Sequence, residues 1–177
     1  WNADQRAATE QLLTSRNRVT ALQGYAGTAK TTTVLATFAR EAEVRGVSVV
    51  ALAPTASAAM VLGEALGARS DTVARHLLSP ERPSQGQPAA WVVDEASLLS
   101  SRDTARLFDL AEKQNARVLL VGDVKQLGSV EAGAAFAQLQ GAGMETAKLG
   151  EIVRQSSMAT KDAVLASIEG DARKALA

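Results

Sequence analysis

The sequence contains no cysteine and few aromatic residues. Without cysteine, a disulfide framework, a thiolate metal site and thiol redox chemistry are all excluded. Phe, Trp and Tyr together make up 3% of the residues, which leaves few rings for stacking on nucleic acid bases. The 19 basic and 19 acidic residues balance, so the chain has no net charge to attract a polyanion. Any contact with nucleic acid must therefore come from a local surface.

Long apolar runs are missing as well. No run approaches the roughly 18 residues that a membrane span needs, and residues 1–5 lack the basic and apolar blocks of a secretory signal. We therefore expect a soluble, cytoplasmic protein with no membrane partner. The first residue is Trp rather than Met, so we expect a piece of a longer protein. Its 177 residues, 46% of them hydrophobic, can bury one core, which predicts a single domain over residues 1–177.

Apolar runs without polar alternation recur along the chain, and segments with helical spacing separate them. Unbroken apolar strands are typical of a parallel sheet that helices cover on both faces. The sequence therefore predicts an α/β fold of three layers with a mostly parallel central sheet. The predicted strands cover residues 19–22, 47–53, 90–93, 117–121 and 146–149. The predicted helices cover residues 3–16, 33–43, 56–66, 72–78, 104–113, 134–139 and 161–177.

Residues 24–32 read GYAGTAKTT and lie between a predicted strand and a predicted helix. They nearly match the phosphate-binding pattern G-x-x-x-x-G-K-[ST], in the context that this pattern requires. In such a loop backbone amides surround phosphate oxygens, the lysine reaches the β and γ phosphates, and the following hydroxyl ligates Mg²⁺. The sequence therefore predicts a P-loop NTPase that binds ATP and Mg²⁺. The predicted cofactor-binding residues of this loop are Gly24, Gly27, Thr28, Ala29, Lys30, Thr31 and Thr32.

Ala29 stands where the phosphate-binding pattern has glycine. If the backbone there needs a positive φ, the Cβ atom costs about 1–2 kcal/mol, or roughly a factor of ten in nucleotide affinity. If the position takes a helical φ instead, that cost disappears. Because Lys30 and Thr31 are intact, we expect a working or modestly weakened site.

Carboxylates and an amide follow two later predicted strands. Asp94 and Glu95 come directly after residues 90–93, and we expect Asp94 to hold the metal and Glu95 to polarise the attacking water. Gln126 follows the next strand and can bridge the γ-phosphate and that water. Lys30, Glu95 and Gln126 form the predicted catalytic set, and Thr31 and Asp94 form the predicted metal site. The alternative for Asp94 and Glu95 is a solvated turn, and the alternative for Gln126 is a polar loop. Together with the P-loop, however, these residues make three polar strand ends in chain order, which favours phosphoryl transfer.

Five blocks in this order resemble the motifs of superfamily 1 helicases of the RecD-like type. They are the P-loop, residues 53–55, residues 94–97, residues 122–130 and residues 151–155. Among these helicases the chain most resembles the helicase part of conjugative relaxases of the TraI/TrwC (MobF) type, on residues 2–8 and 151–155. The resemblance covers essentially the whole chain. It implies a single RecA-like motor lobe over residues 1–177, with a leading helix over residues 1–18.

The resemblance also implies roles for two residues near the ends of the chain. Gln5 would hydrogen-bond the adenine, whereas composition alone makes it an ordinary polar helix residue. Arg154 would approach the γ-phosphate and stabilise the charge of the transition state as a fourth catalytic residue. The alternative for Arg154 is a surface ion pair with Glu151 or Asp162.

DNA contacts are implied at three positions. Pro54 and Thr55 follow the second predicted strand, as the first DNA-contacting block of the helicases does, and Thr72 matches the next such block. Backbone amides and hydroxyls there would touch the phosphates of a single strand. The alternative for Thr55 is a helix N-cap, a role compatible with DNA contact. The single histidine, His76, is displaced by two residues from the family position, so it receives no role.

The function implied is that of a first motor lobe, which couples ATP hydrolysis to translocation on single-stranded DNA and to duplex unwinding. The expected partners are single-stranded DNA, a second RecA-like lobe of the same polypeptide that lies outside this sequence, and a relaxase domain in the full-length protein. Alone, the lobe is expected to turn over slowly, because its partner lobe excludes water from the site. One alternative is a vestigial P-loop lobe with a structural or partner-docking role. Another is an NTPase that acts on something other than nucleic acid.

Overall fold

Six strands form the central sheet of the protein, in a computed structural model that describes residues 1–25, 29–80, 86–123 and 134–150. The strands are β1 Val19–Gly24, β2 Ser48–Ala53, β3 Arg69–Thr72, β4 Ala89–Val93, β5 Ala116–Gly122 and β6 Thr146–Leu149. Their order across the sheet is β3-β2-β4-β5-β1-β6, and every neighbouring pair is parallel. The predicted α/β fold is confirmed, with a sheet that is parallel throughout the described residues.

Helices cover both faces of this sheet. They are α1 Ala3–Thr14, α2 Ala36–Val44, α3 Ala56–Leu66, α4 Val73–Leu78, α5 Ser101–Lys113 and α6 Ala134–Gly141. On one face, α1, α2 and α3 pack against strand residues such as Leu22 and Val92. On the other, α4, α5 and α6 pack around Trp91 and Phe136, which are 1% exposed. Two separate cores on opposite faces make the three layers that the apolar strands predicted.

Local signals account for most helix boundaries. The side chain of Asn2 accepts a hydrogen bond from the Gln5 amide at 2.8 Å, so α1 begins at Ala3 with a capping box. α3 begins after Thr55, whose hydroxyl accepts from the Ala58 amide, and it has the bounds that the sequence predicts. The helix predicted over residues 33–43 begins earlier and as another type, because a π-helical segment, Lys30–Leu35, precedes α2. The helix predicted over residues 161–177 lies outside the described residues.

One strand, β3, was not predicted from the sequence. It is a polar edge strand that pairs only with β2, and both Arg69 and Ser70 are exposed. An edge strand that is open to solvent needs no apolar side chains, so it leaves no hydrophobic period to detect. The five strands that were predicted pack against the cores and begin or end within two residues of the expected positions.

Candidate nucleotide-binding site

Gly24 and Lys30 of the predicted phosphate-binding loop lie at the edge of the sheet where the strands end. In a parallel sheet the carboxyl ends lie together, and there they form the usual ligand-binding edge. β1 ends at Gly24, and β5 lies between β1 and β4, which ends at Val93. The start of the P-loop and the first residue after β4 are therefore separated by a single strand. Strand neighbours lie about 4.8 Å apart, so side chains from these two ends can reach a common point.

Lys30 opens the π-helical segment, and its ammonium turns back over the loop. Its Nζ atom donates hydrogen bonds to the carbonyl oxygens of Gly24 and, at 3.1 Å, Tyr25. Lys30 and Asp94 therefore follow two strands that end at the same edge of the sheet, with β5 between them. Thr31 is half-buried and Thr32 exposed on the same segment.

Asp94 is a carboxylate at this edge whose pKa is changed by burial. It is half-buried directly after β4, and this burial raises the pKa of its carboxyl above the ordinary value of 3.8. Two contacts act in the opposite direction, the backbone N–H of Glu95, which donates to Oδ1 at 2.8 Å, and the charge of Lys30. Burial makes this carboxylate costly to ionise, so a nearby cation stabilises its charged form, and a bound metal ion would stabilise it in the same way.

Glu95 holds an unusual backbone conformation. Its φ is 51°, in the left-handed region, and it precedes a short 3₁₀ helix over Ala96–Leu98. A non-glycine residue there is uncommon, and such conformations persist where the surrounding structure imposes them. The side chain is exposed at the mouth of the site, where it can contact water. The sequence predicted a role for Glu95 but gave no sign of this backbone conformation.

Ala29 has the left-handed backbone conformation that the pattern's glycine would adopt. Its φ and ψ are 54° and 35°, and its carbonyl oxygen accepts from the Thr33 hydroxyl at 2.6 Å and the Thr33 amide at 3.2 Å. The first of the two alternatives considered for this position is therefore the one observed. The Cβ atom is strained by about 1–2 kcal/mol.

Gln5 is buried rather than an ordinary surface residue of a polar helix. Its side-chain oxygen accepts a hydrogen bond from the Asn2 amide at 3.1 Å, and α1 contacts the π-helical segment that Lys30 begins. Gln5 therefore serves as the second half of the α1 capping box beside the P-loop. Its predicted contact with adenine stays a prediction.

Four further predicted site residues lie outside the described residues: Gly27, Thr28, Gln126 and Arg154.

The three residues predicted to contact DNA lie together at the other end of the same edge. β2 and β3 are neighbours in register, with Ala53 opposite Thr72, so Pro54 and Thr55 emerge beside Thr72. Both threonines are helix N-caps. The Thr55 hydroxyl accepts a hydrogen bond from the Ala58 amide at 3.3 Å, and the Thr72 hydroxyl accepts one from the Arg75 amide at 3.2 Å. A contact with DNA at these positions stays a prediction.

Two buried residues near this edge lie in the helicase-like blocks but received no role of their own from the sequence. Asp123 follows β5 and is 4% exposed, and Ser97 is equally buried in the turn after Glu95. Both residues closely follow an apolar strand, and this position in the sequence was the signal that could have identified them.

His76 is buried on α4 with its ring edge-on to Trp91, the ring centroids being 4.5 Å apart, and burial lowers its pKa. His76 therefore packs against the core on the face of the sheet that α4, α5 and α6 cover.

The donors at the site suit Mg²⁺. Thr31 and Asp94 supply hard oxygen atoms, and a nucleotide-bound Mg²⁺ usually takes only one or two ligands from protein, with phosphates and water completing the set. Within the described ranges no three His, Cys, Asp or Glu side chains converge as a metal cluster. Among the described helices, none has the length and apolar character of a membrane span.

Comparison with known proteins identifies a family and several relatives of this chain. The family model described as "AAA domain" matches residues 1–177. The conjugal transfer protein TraA of Rhizobium radiobacter is 35% identical over 98% of this chain, and the multifunctional conjugation protein TraI of Escherichia coli is 32% identical over 97%. The chain spans 16% and 10% of the lengths of these two relatives. The ATP-dependent RecD2 DNA helicase of Deinococcus radiodurans is 38% identical over 87% of the chain, which spans 22% of that helicase.

A solved structure supports the fold. The Pif1 helicase of Candida albicans superposes on 95% of this chain with a TM-score of 0.66 and 16% sequence identity, and the chain corresponds to 44% of that protein. An identity this low speaks to the fold alone. Together with the family match and the conjugation and RecD-type relatives, it confirms the resemblance that the ordered motifs indicated. This chain belongs to the AAA domain family, as a RecA-like P-loop domain related to the TraA and TraI conjugation proteins and to RecD-type helicases.

Proposed function

We propose that this chain is the ATP-binding first motor lobe of a superfamily 1 DNA helicase in a conjugative relaxase-like protein. Joined to a second RecA-like lobe, it couples ATP hydrolysis to movement along single-stranded DNA and to duplex unwinding. The observation that carries the proposal is the placement of the P-loop start after β1 and of Asp94 after β4 at the same carboxyl edge of the sheet, with only β5 between the two strands. The conjugation and helicase relatives support the same assignment.

Each proposed role follows from the chemistry of the group. Lys30 moves from the loop carbonyls to the β and γ phosphates, which offer it a stronger, charge-assisted hydrogen bond. Thr31 and Asp94 hold Mg²⁺, which when bound neutralises phosphate charge. The exposed Glu95 carboxylate accepts the proton of the attacking water. From the motifs, Gln126 orients that water and Arg154 compensates charge at the γ-phosphate.

The adenine base and the single-stranded DNA bind to separate parts of the lobe. Gln5 contacts adenine, since a glutamine amide can pair with the adenine edge through its donor and its acceptor. Single-stranded DNA passes over the ends of β2 and β3, where Pro54, Thr55 and Thr72 offer amides and hydroxyls to its phosphates. The strand β4, which leads to Asp94, is the direct neighbour of β2, so a change at the nucleotide can reach the DNA through the sheet edge.

The test uses the full-length natural polypeptide that contains this lobe. Lys30→Ala is expected to lower ATP hydrolysis stimulated by single-stranded DNA by about 100-fold or more, because it removes a positioned charge from the transition state. Lys113→Ala is the matched control, as this exposed lysine ends α5, away from the site. It should hydrolyse ATP at the unaltered rate. Equal activity of Lys30→Ala and the unaltered protein would rule out the proposed site.

A vestigial lobe is the second candidate, and the strained backbone of Ala29 favours it. Calorimetric titration of the 177-residue chain with a non-hydrolysable ATP analogue and Mg²⁺ separates the two candidates. The motor lobe should release or absorb heat on binding in the micromolar to millimolar range. No heat at millimolar ligand would favour the vestigial lobe.

A further inference from the structure

Gly122, the last residue of β5, lies in close contact with the turn that carries Glu95. A methyl group built on its Cα atom would lie 3.2 Å from the backbone nitrogen of Ser97 and 3.5 Å from the Ser97 Cβ and Oγ atoms. The nearest of these atoms belongs to the backbone, so no side-chain rotation can make room. An alanine at this position would push the turn outward by a few tenths of an ångström.

Backbone conformation is not the reason for a glycine at this position. The described glycines with positive φ are Gly46, Gly67, Gly86 and Gly143, and Gly122 is not among them. It lies in a regular strand, where any residue could adopt its φ and where glycine is otherwise unfavourable. Close approach of the turn is therefore the property that glycine provides here.

The turn has little freedom to yield in other directions. The Asp94 amide donates to the Leu52 carbonyl at 2.9 Å, which fixes the start of the turn to the neighbouring strand. Ser97 is 4% exposed, and Ala96 and Leu99 are buried in the same core as Phe136 of α6. The turn is thus held by β2 at its start and by a packed core beneath it. A push from Gly122 must therefore be passed on along the turn toward Glu95.

We infer that Gly122 is a positioning residue for the proposed ATPase site: its missing side chain sets how deeply residues 94–98 rest on β5, and so where the Glu95 carboxylate lies. This inference rests on the proposed function. A displacement of about 1 Å in a reacting group can cost roughly 100-fold in rate, so a few tenths of an ångström should cost about threefold to tenfold. The three nearest described atoms all belong to Ser97, and the hydrogen bond to Leu52 holds Asp94 at the start of the turn, so nucleotide affinity should change little.

The experiment compares Gly122→Ala with Gly141→Ala in the full-length natural polypeptide. Gly141 ends α6, and a methyl group there would meet no atom within 4 Å, so it controls for the chemical change itself. The measurements are kcat and KM of ATP hydrolysis stimulated by single-stranded DNA, the Kd of a non-hydrolysable ATP analogue, and the thermal unfolding midpoint. Gly122→Ala should lower kcat about threefold to tenfold and leave Kd within about twofold, whereas Gly141→Ala should leave both unchanged.

The other outcomes separate this inference from the proposed function. If the unaltered protein hydrolyses ATP and Gly122→Ala has the same kcat, the inference alone is wrong. If kcat and affinity fall together, or if the variant unfolds below the assay temperature, Gly122 is needed for folding and has no selective positioning role. If the unaltered protein does not hydrolyse ATP, the proposed function fails, and the inference fails with it.

Discussion

At the scale of single residues, Ala29 has a strained backbone at a predicted phosphate-binding position. Its left-handed φ of 54° is part of the folded chain, so the cost of the Cβ atom falls on the free energy of unfolding. Whether the strain also weakens nucleotide binding depends on whether ATP changes this φ. That effect on affinity stays a prediction, and titration of Ala29→Gly with ATP tests it.

Ala29→Gly should stabilise the chain. Removing the Cβ atom relieves about 1–2 kcal/mol of strain, and the greater freedom of glycine in the unfolded chain takes back about 0.4–1 kcal/mol. We expect a net gain of about 0.5–1 kcal/mol, or roughly 2–3 °C in the thermal unfolding midpoint. Ala7→Gly, at an exposed position within α1, should instead lose about 1 kcal/mol. A loss in both variants would mean that Ala29 is unstrained.

The sequence predicted which residues belong to the site, but it did not predict their burial or their backbone conformation. Lys30, Thr31, Asp94 and Glu95 were predicted because their positions after strands or in the P-loop are properties of the sequence order. The buried position of Asp94, which raises its pKa, depends on what packs around the end of β4. The left-handed φ of Glu95 depends likewise on the turn below it, so neither was visible in the order of residues.

At the scale of elements, the edge strand β3 depends on a glycine in the neighbouring helix. A Cβ atom on Gly63 of α3 would lie 2.7 Å from the Ser70 Cβ atom and 3.0 Å from the Ala68 carbonyl oxygen. The helix and the strand that follows it can therefore pack closely only because residue 63 has no side chain. The sequence showed a glycine within a helical pattern, but its partner was unknown while β3 itself was unrecognised.

Gly63→Ala should destabilise the protein although alanine is the better helix former. Overpacking at a close contact costs about 1–3 kcal/mol, against a propensity gain of about 1 kcal/mol, so we expect a net loss of about 1 kcal/mol. Urea unfolding measures it. In a double-mutant cycle, Gly63→Ala with Ser70→Gly should cost less than the sum of the two single changes, because the second change removes the closest contact, that with the Ser70 side chain. A net stabilisation by Gly63→Ala alone would contradict the predicted clash.

At the scale of the whole molecule, Glu145 joins the first part of the chain to the last described strand. It precedes β6 and accepts hydrogen bonds from Ser15 Oγ at 2.6 Å, Asn17 Nδ2 at 2.5 Å and Gln11 Nε2 at 3.4 Å. The hydrogen bond from Ser15 is the largest cause that lowers the pKa of Glu145 below its ordinary value of 4.5. These contacts hold the link between α1 and β1 against the opposite end of the described chain.

Glu145→Gln should therefore make stability less dependent on pH. A carboxylate whose pKa is lowered by folding contributes stability above its ordinary value, and this contribution is lost as pH falls through the folded pKa. We expect the variant to unfold at a lower temperature than the unaltered chain at pH 7 and the difference to narrow below about pH 4. The exposed Glu64 on α3 is the control, and Glu64→Gln should change stability by less than about 0.5 kcal/mol. A difference that stays constant down to pH 3 would show that the charge of Glu145 plays no part.

The amino-acid sequence by itself determined the alternating strands and helices, the P-loop and the polar groups that follow the strands. These are local properties, since an apolar period or a motif needs only neighbouring residues to be recognised. Only the tertiary structure decided the strand order, the edge strand β3, the left-handed φ of Ala29 and Glu95, and the contact of Gly122 with Ser97. Each of these depends on packing between segments that are distant in sequence or on a backbone conformation that such packing imposes.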